Sequence, residues 1–231
     1  ISAGALKVAG EAVEPGVTTA QIDKIAHEYI LKAGATPTFP NYNGFPATAC
    51  ISINDEIIHG IPSHRRVIKS GDIVSIDLGA SINGYTGDNA ATFACGDISS
   101  EAKRLCDVTR ESLYEGIKKA VAGGRLGDIG FAIASYCEER GFSVVREYTG
   151  HGVGANLHED PSVPNFGTPG RGVRLLPGMT IAIEPMINQG SAAIRTQPDG
   201  WTVRTKDGKL SAHFEHTVAI TADGPKIMTQ L

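Results

Sequence analysis

The sequence predicts one α+β domain in which helices and strands are segregated along the chain. Two helical segments precede a strand hairpin, two more follow it, and strands and turns fill the chain after residue 141. This order lacks the strict alternation of strand and helix that is typical of a doubly wound parallel sheet. No linker or composition shift divides the 231 residues, which are enough to bury a sizeable core. We therefore expect residues 1–231 to fold as a single domain.

An internal repeat indicates that this domain consists of two similar halves. When the sequence is shifted by 107 residues, four residues of the first half fall on identical residues of the second: Gly16, Ile22, Tyr29 and Gly34 on Gly123, Ile129, Tyr136 and Gly141. Four matches are few on their own. Both stretches, however, have the order helix, glycine, helix, glycine and then strands, which favours one arrangement used twice.

The first two predicted helices cover Ala3–Val13 and Gln21–Lys32. Glu14-Pro15-Gly16 ends the first helix, and Thr18 or Thr19 supplies an N-cap for the second. Apolar residues recur on one face of the second helix at the 3.6-residue period, and a glycine follows its last turn. We therefore expect this helix to bury one face.

The next two elements are predicted strands joined by Asn83-Gly84, which is typical of a two-residue hairpin loop. They cover Asp72–Ile82 and Tyr85–Ala94. In the register that this loop sets, Asp77 and Asp88 are diagonal neighbours on one face, about 7–8 Å apart. Helical periodicity then returns in two segments, and two apolar strands follow: Ser99–Val121, Asp128–Arg140, Met179–Ile187 and Ala212–Ile220.

Five residues in this framework predict a metal site. Two aspartates that converge on one face repel each other unless a cation lies between them, the alternative being two exposed aspartates. Three further signals are His151 between two glycines and the lone carboxylates Glu184 and Glu215 in apolar strands. A charge within an apolar strand is costly unless it is paired or ligated. With Asp77 and Asp88, these residues suit two ions of Mn, Fe, Co or Zn that share bridging carboxylates.

The composition and the missing motifs exclude several other classes of protein. The formal net charge is −4 without a cluster of Lys and Arg, which disfavours a nucleic-acid partner. No run approaches the about 20 apolar residues of a membrane-spanning helix. The four cysteines form no CxxC pair, which favours reduced thiols over disulfides and a cytoplasmic protein. P-loop, dinucleotide-binding and serine-hydrolase motifs are also absent from the sequence.

The local sequence does not show whether the remaining histidines are structural or functional. His59 precedes a Gly-Ile-Pro turn, and His158 follows the glycine-flanked histidine by seven residues. Either histidine fits a structural or a functional role. His27, His64 and His213 have no supporting pattern, and we interpret them as structural.

These motifs closely resemble the type I methionine aminopeptidases of peptidase family M24. The resemblance runs from end to end and rests on six stretches: EPGVTT (14–19), SINDEIIHGIP (52–62), DLGASINGYTGDNAAT (77–92), GHGVGANLHEDP (150–161), IAIEPM (181–186) and HFEHTVAIT (213–221). It implies the pseudo-symmetric pita-bread α+β fold, with a helix-helix-strands unit repeated around a curved antiparallel sheet. The single domain would then be a metallo-aminopeptidase catalytic domain.

The resemblance also implies a role for each of the five ligands. Asp77 would bind one metal alone, Asp88 and Glu215 would bridge two metals, and His151 and Glu184 would complete the second metal. Glu184 would in addition accept a proton from the attacking water. The implied cofactors are two divalent ions, Co, Mn, Fe or Zn.

The implied substrate is the N-terminal methionine of peptides and nascent chains, with a small second residue preferred and the enzyme acting as a monomer. His59 and His158 would contact the scissile peptide and steady the tetrahedral intermediate. Six residues match positions that line the methionine pocket: Phe39, Tyr42, Phe45, Cys50, Leu157 and Trp201. An apolar slot edged by aromatic rings also suits a thioether.

One departure and three rival functions accompany this interpretation. Asn89-Ala90 replaces the small hydroxyl residues that are common after the bridging aspartate in the family. The rivals are an Xaa-Pro aminopeptidase or dipeptidase, a peptide-binding protein that has lost catalysis, and a two-metal phosphatase. The first usually has an extra N-terminal domain and the second usually lacks metal ligands. The third needs cations near the site, for which Arg171 and Arg174 are the candidates.

Overall fold

The computed structural model describes residues 1–230. These residues contain four α-helices: α1 (Ser2–Glu11), α2 (Thr19–Lys32), α3 (Ser100–Lys119) and α4 (Leu126–Glu138). The fifteen strands are β1 (Thr36–Pro37), β2 (Ala49–Ile53), β3 (Glu56–Ile58), β4 (Ile73–Ile82), β5 (Tyr85–Ala94), β6 (Ser143–Val144), β7 (Gly150–Gly152), β8 (Glu159–Val163), β9 (Thr180–Ile183), β10 (Met186–Asn188), β11 (Ile194–Thr196), β12 (Val203–Thr205), β13 (Ser211–His213), β14 (His216–Thr221) and β15 (Gly224–Ile227).

The four predicted helices are confirmed, with ends that differ from the prediction by no more than two residues. Thr18 is the N-cap of α2: its hydroxyl accepts from the backbone N–H of Gln21, and the Gln21 side chain accepts from the N–H of Thr18. This reciprocal capping box satisfies two donors that the first turn would otherwise leave free. Gly34 follows the last turn of α2 with φ 75°, in the left-handed region that favours glycine. None of the helices within residues 1–230 is long and apolar enough to cross a membrane.

The predicted hairpin register is also confirmed. β4 and β5 pair antiparallel with Ile82 opposite Tyr85 and Gly79 opposite Asp88. The loop residue Asn83 has φ 53° and the glycine after it has φ 81°. Two left-handed residues are what a type I′ turn requires, and this turn matches the twist of the flanking strands.

Each half of the molecule packs a pair of helices against an antiparallel sheet. In the first half, α1 and α2 pack on the sheet that contains β4, with β5 along one edge and β1 and β2 along the other. In the second half, α3 and α4 pack on a five-stranded sheet of order β15-β14-β9-β7-β8. The core residue Ile22 of α2 has its counterpart in Ile129 of α4. The two similar halves that the repeat indicated are therefore present.

The two strands predicted around the lone glutamates are wrong as continuous strands. The first divides into β9 and β10 at Glu184-Pro185, and the second into β13 and β14 at Phe214-Glu215. β9 pairs with β14 in the five-stranded sheet, whereas β10 pairs with β13 in a three-stranded sheet with β6. Proline has no N–H to donate to a strand ladder, which contributes to the first break. At the second break the Glu215 N–H leaves its own sheet and donates to the carbonyl of Ala90 on β5, at 2.8 Å.

Candidate metal centre and adjoining pocket

The two strand breaks lie where β5 of the first half runs beside the second half. The Asp88 N–H donates to the hydroxyl of Thr217, and that hydroxyl donates to the Asp88 carbonyl. Glu215 is joined to the same strand through Ala90. These contacts between β5 and the second half therefore bring carboxylates from distant parts of the chain to one place.

Asp88, His151 and Glu215 form the tightest group at this junction. One ligand atom from each lies within 4.8 Å of the other two, and all three side chains are buried. The Nε2 atom of His151 lies 3.7 Å from Asp88 Oδ2 and 3.6 Å from Glu184 Oε1. Asp77 lines the same cavity. All five predicted ligands therefore face one cavity, and together they are called the charged wall.

His151 is held in one tautomer by its own strand. Its Nδ1–H donates to the carbonyl of Gly152 at 2.8 Å, which leaves the lone pair of Nε2 toward the carboxylates. Burial lowers the pKa of His151 to about 4, so the ring is neutral near pH 7. A β-carbon at Gly150 or Gly152 would overlap the carbonyl of Ala182 or Asp160. The flanking glycines therefore permit close strand packing.

The carboxylates of the charged wall are unusually hard to ionise. Burial, followed by the charge of neighbouring carboxylates, raises the pKa values of Asp77, Glu184 and Glu215 well above their ordinary values. Burial raises the pKa of Asp88 to about 7. Within residues 1–230, no lysine or arginine lines the cavity. The protein itself therefore supplies no cation to balance this charge.

Carboxylate oxygen atoms that lack hydrogen-bond partners also indicate that a cation binds here. Asp77 Oδ1, Asp88 Oδ1 and Glu215 Oε1 are buried and have no hydrogen-bond partner among the described residues. Buried polar atoms without partners are rare and costly. A divalent cation would bind these oxygens and lower the pKa values at the same time. The residues present therefore fit a hard or borderline metal ion.

The rest of the lining of this cavity, which has a volume of about 230 Å³, is largely apolar and aromatic. All six predicted pocket residues line it, and together they are called the apolar wall: Phe39, Tyr42, Phe45, Cys50, Leu157 and Trp201. The ring of Phe45 stands edge-on to Trp201 at 5.1 Å and to Phe39 at 6.3 Å between centroids. The result is a slot edged by aromatic rings that opens directly onto the charged wall.

The two histidines that the sequence left undecided both line this cavity. His158 is exposed at its mouth, where Nδ1 lies 2.9 Å from the hydroxyl of Tyr42 and the two rings stack. His59 is half-buried and has φ 59°, a left-handed conformation that is strained for histidine. Burial lowers the pKa of His59 to about 4. Both rings therefore lie beside the charged wall, and His59 carries no positive charge near neutral pH.

One residue beside the charged wall was missed by the sequence interpretation. His213, which we interpreted as structural, has its Nε2 atom 3.5 Å from Oε2 of Glu184. The spacing of two residues between His213 and Glu215 is the one feature of the sequence that could have indicated a shared face. The arginines needed for a two-metal phosphatase, Arg171 and Arg174, are exposed near the start of α4 and do not line the cavity.

Comparisons with known proteins agree with this geometry. The model of metallopeptidase family M24 matches residues 1–222. A Clostridium acetobutylicum protein named methionine aminopeptidase is 54% identical over 224 residues, which cover 97% of this chain and 90% of that one. Methionine aminopeptidase 1 of Bacillus subtilis is 54% identical over 219 residues, covering 95% of this chain and 88% of that one.

Solved structures support the fold. The crystal structure of methionine aminopeptidase from Thermotoga maritima has a TM-score of 0.98 at 44% identity and covers 100% of this chain and 92% of that one. A prolidase from Pyrococcus horikoshii has a TM-score of 0.76 at 23% identity, covering 99% of this chain but 58% of that one, and shows the fold alone. The predicted pita-bread fold is thereby confirmed.

Proposed function

The chain belongs to metallopeptidase family M24 and is an aminopeptidase of the methionine aminopeptidase group, and we propose that it hydrolyses the N-terminal methionine from peptides and nascent chains. The observation that carries the proposal is the direct junction of the charged wall with the apolar wall in one cavity. A ligand set for metal ions thus lies beside a slot of the size and chemistry that an unbranched thioether side chain needs.

The charged wall is proposed to hold two divalent ions of Co, Mn, Fe or Zn. Asp88 and Glu215 would bridge them, Asp77 would complete one ion, and His151 and Glu184 would complete the other. The orphaned carboxylate oxygens and the neutral His151 Nε2 support this assignment. When bound, the ions would supply an activated water as nucleophile and polarise the peptide carbonyl.

The protein residues would position the substrate and move the proton. Glu184 turns Oε1 toward the other ligands, where it would accept a proton from the attacking water. If Nδ1 of His158 accepts from the Tyr42 hydroxyl, its Nε2–H is left to donate to the carbonyl oxygen as negative charge develops. His59 faces the same cavity as a neutral imidazole and would donate from the other side.

Substrate choice would follow from the shape of the cavity. Methionine would occupy the slot, where its sulfur meets the ring edges of Phe45 and Trp201. His59 and His158 both line the cavity and would leave little room beyond the scissile bond, which is the basis for proposing a preference for a small second residue. Both halves of the molecule contribute ligands, and we propose that residues 1–231 act as one domain and as a monomer.

Metal-stripped protein incubated with Met-Ala-Ser or with Ala-Pro-Ala tests the proposal, with Mn or Co then added back. We expect metal-dependent release of methionine and no cleavage of the proline peptide, measured by chromatography of the freed amino acid. Cleavage of Ala-Pro-Ala alone would assign the protein to the Xaa-Pro enzymes. Binding of two metals without cleavage of either peptide would favour the peptide-binding alternative.

A further inference from the structure

His213 is a fully buried imidazole with a fixed backbone. Its side chain is 1% exposed. Its N–H donates to the hydroxyl of Thr92 at 3.0 Å, and its carbonyl accepts from the same hydroxyl at 2.9 Å. It also pairs with Met186 across β13 and β10. Because Thr92 lies on β5, the strand that carries Asp88, the position of His213 is tied to the charged wall.

The ring of His213 faces Glu184 without making any other polar contact at Nε2. This nitrogen is buried, has no hydrogen-bond partner within residues 1–230, and lies 3.5 Å from Glu184 Oε2. The other carboxylate oxygen, Oε1, lies 3.6 Å from Nε2 of His151. The two oxygens of Glu184 are thus divided between two imidazoles, one of which belongs to the proposed ligand set.

A carboxylate that binds a metal through one oxygen needs a partner for the other. Without such a partner, the side chain of Glu184 can rotate and present either oxygen, or both, to the cavity. Ligating carboxylates are commonly hydrogen-bonded on their outer side, which fixes their orientation. An Nε2–H on His213 needs only a small side-chain rotation to reach hydrogen-bond distance of Oε2.

On the basis of the proposed function, we propose that His213 is a positioning residue that donates a hydrogen bond from Nε2 to Glu184 Oε2 and thereby directs Oε1 to the metals and the water. His213 itself does not touch the substrate in this arrangement. A purely structural role would require only that the ring fill space in the core. The positioning role requires the N–H donor of His213, whereas the structural role requires only its volume.

Two substitutions of similar size separate the donor from the volume. His213→Gln keeps an N–H donor, whereas His213→Met fills the space without one. We expect His213→Met to lower kcat for Met-Ala-Ser by about 10–100-fold with little change in KM, and to weaken metal binding by a similar factor. We expect His213→Gln to retain most of the wild-type kcat and most of the wild-type metal affinity. Metal affinity is measured by calorimetric titration of the metal-free protein, and His64→Met on the exposed surface is the matched control.

The outcomes separate this inference from the proposed function. If the wild-type protein releases no methionine, the proposed function is wrong, and the metal titrations alone then decide whether the donor at His213 matters. The positioning role would be overturned if the Gln and Met variants had equal metal affinity and equal kcat. This holds whether both variants stay near the wild-type values or both fall to the same extent. Thermal unfolding followed by circular dichroism identifies a variant that does not fold, and His213→Leu then replaces His213→Met in the comparison.

Discussion

The two walls line one cavity but are built by different means. Strand pairing fixes Asp88 and His151 of the charged wall in register with their neighbours, and Glu184 and Glu215 lie where two strands break. The apolar wall depends on a loop in which Asn41, Asn43 and Gly44 all have left-handed backbone. The charged wall thus lowers the stability of the fold through buried like charges, and the apolar wall lowers it through backbone strain. Changes in the first should alter metal binding and pH dependence, and changes in the second should alter substrate binding.

Asp88→Asn breaks the charged wall and has the largest expected effect. The side chain is almost fully buried and keeps its shape on substitution, so the change removes a charge and a ligand rather than volume. We expect methionine release and metal affinity to fall by more than about 100-fold, beyond the loss typical of a residue that only orients a ligand. The metal-free variant should be no less stable than wild type, because the substitution removes a buried charge. Calorimetric titration and thermal unfolding measure the two effects.

The carboxyl groups of the charged wall also determine whether the stability of the metal-free protein rises or falls with pH. These groups have raised pKa values in the folded state, so the folded protein holds protons that the unfolded chain has released. Stability is therefore lost as the pH rises through the folded pKa values. His59 and His151 act in the opposite direction, but only below the unfolded histidine pKa of about 6.5.

Urea denaturation between about pH 7 and 8 reports mainly the carboxyl contribution, since the buried histidines are neutral in the folded protein and most unfolded histidines have also lost their proton there. We expect the unfolding free energy to decrease by about 1 kcal/mol per pH unit for each carboxyl group that is protonated in the folded protein and ionised in the unfolded chain. Asp88→Asn should reduce this slope, whereas Asp223→Asn on an exposed turn should leave it unchanged. A profile that is flat or rises with pH would contradict the assignment of buried, unbalanced carboxylates.

Tyr42→Phe sharpens the comparison where the two walls meet. The ring stays in the apolar wall, but the hydroxyl that lies 2.9 Å from Nδ1 of His158 is lost. One hydrogen bond of this kind is worth about 0.5–1.5 kcal/mol, so we expect kcat to fall about threefold to tenfold with KM nearly unchanged. Steady-state kinetics with Met-Ala-Ser measures both constants.

Tyr148→Phe is the matched control, because it also removes the hydroxyl of a tyrosine whose ring packs against a histidine of the cavity. The Tyr148 ring stands edge-on to His59 at 5.6 Å, and its hydroxyl makes no hydrogen bond within residues 1–230. The expected change in kcat is small. If Tyr148→Phe lowered kcat as far as Tyr42→Phe, the hydrogen bond to His158 would not be the cause.

The charged wall could be predicted from the sequence largely because its signals are local. The Asn83-Gly84 loop fixes the register of β4 and β5, and this register places Asp88 beside Asp77 without knowledge of the rest of the chain. Glu184 and Glu215 were visible as charges in apolar strands. The breaks in these strands were not predicted, because the second results from a bond between Glu215 and β5 that joins distant segments.

His213 and the apolar wall show what local patterns do not contain. The contact between His213 and Glu184 follows from the pairing of β10 with β13, which exists only because both strands change sheet. The left-handed residues Asn41 and Asn43 have no periodicity that would reveal their conformation. For these parts, the resemblance to a family supplied the pocket residues that local physical reasoning did not.

Gly44→Ala tests the left-handed loop of the apolar wall and has the smallest expected effect. Gly44 has φ 88°, and an added β-carbon would meet no atom within 4 Å, so the cost is backbone strain alone, about 1 kcal/mol of unfolding free energy. Gly34→Ala after α2 is the matched control, since Gly34 has φ 75° and equally open surroundings. Urea denaturation should show the same loss for both variants. Only Gly44→Ala should also raise KM for Met-Ala-Ser, because only this loop shapes the slot, and an equal KM for the two variants would remove the loop from substrate binding.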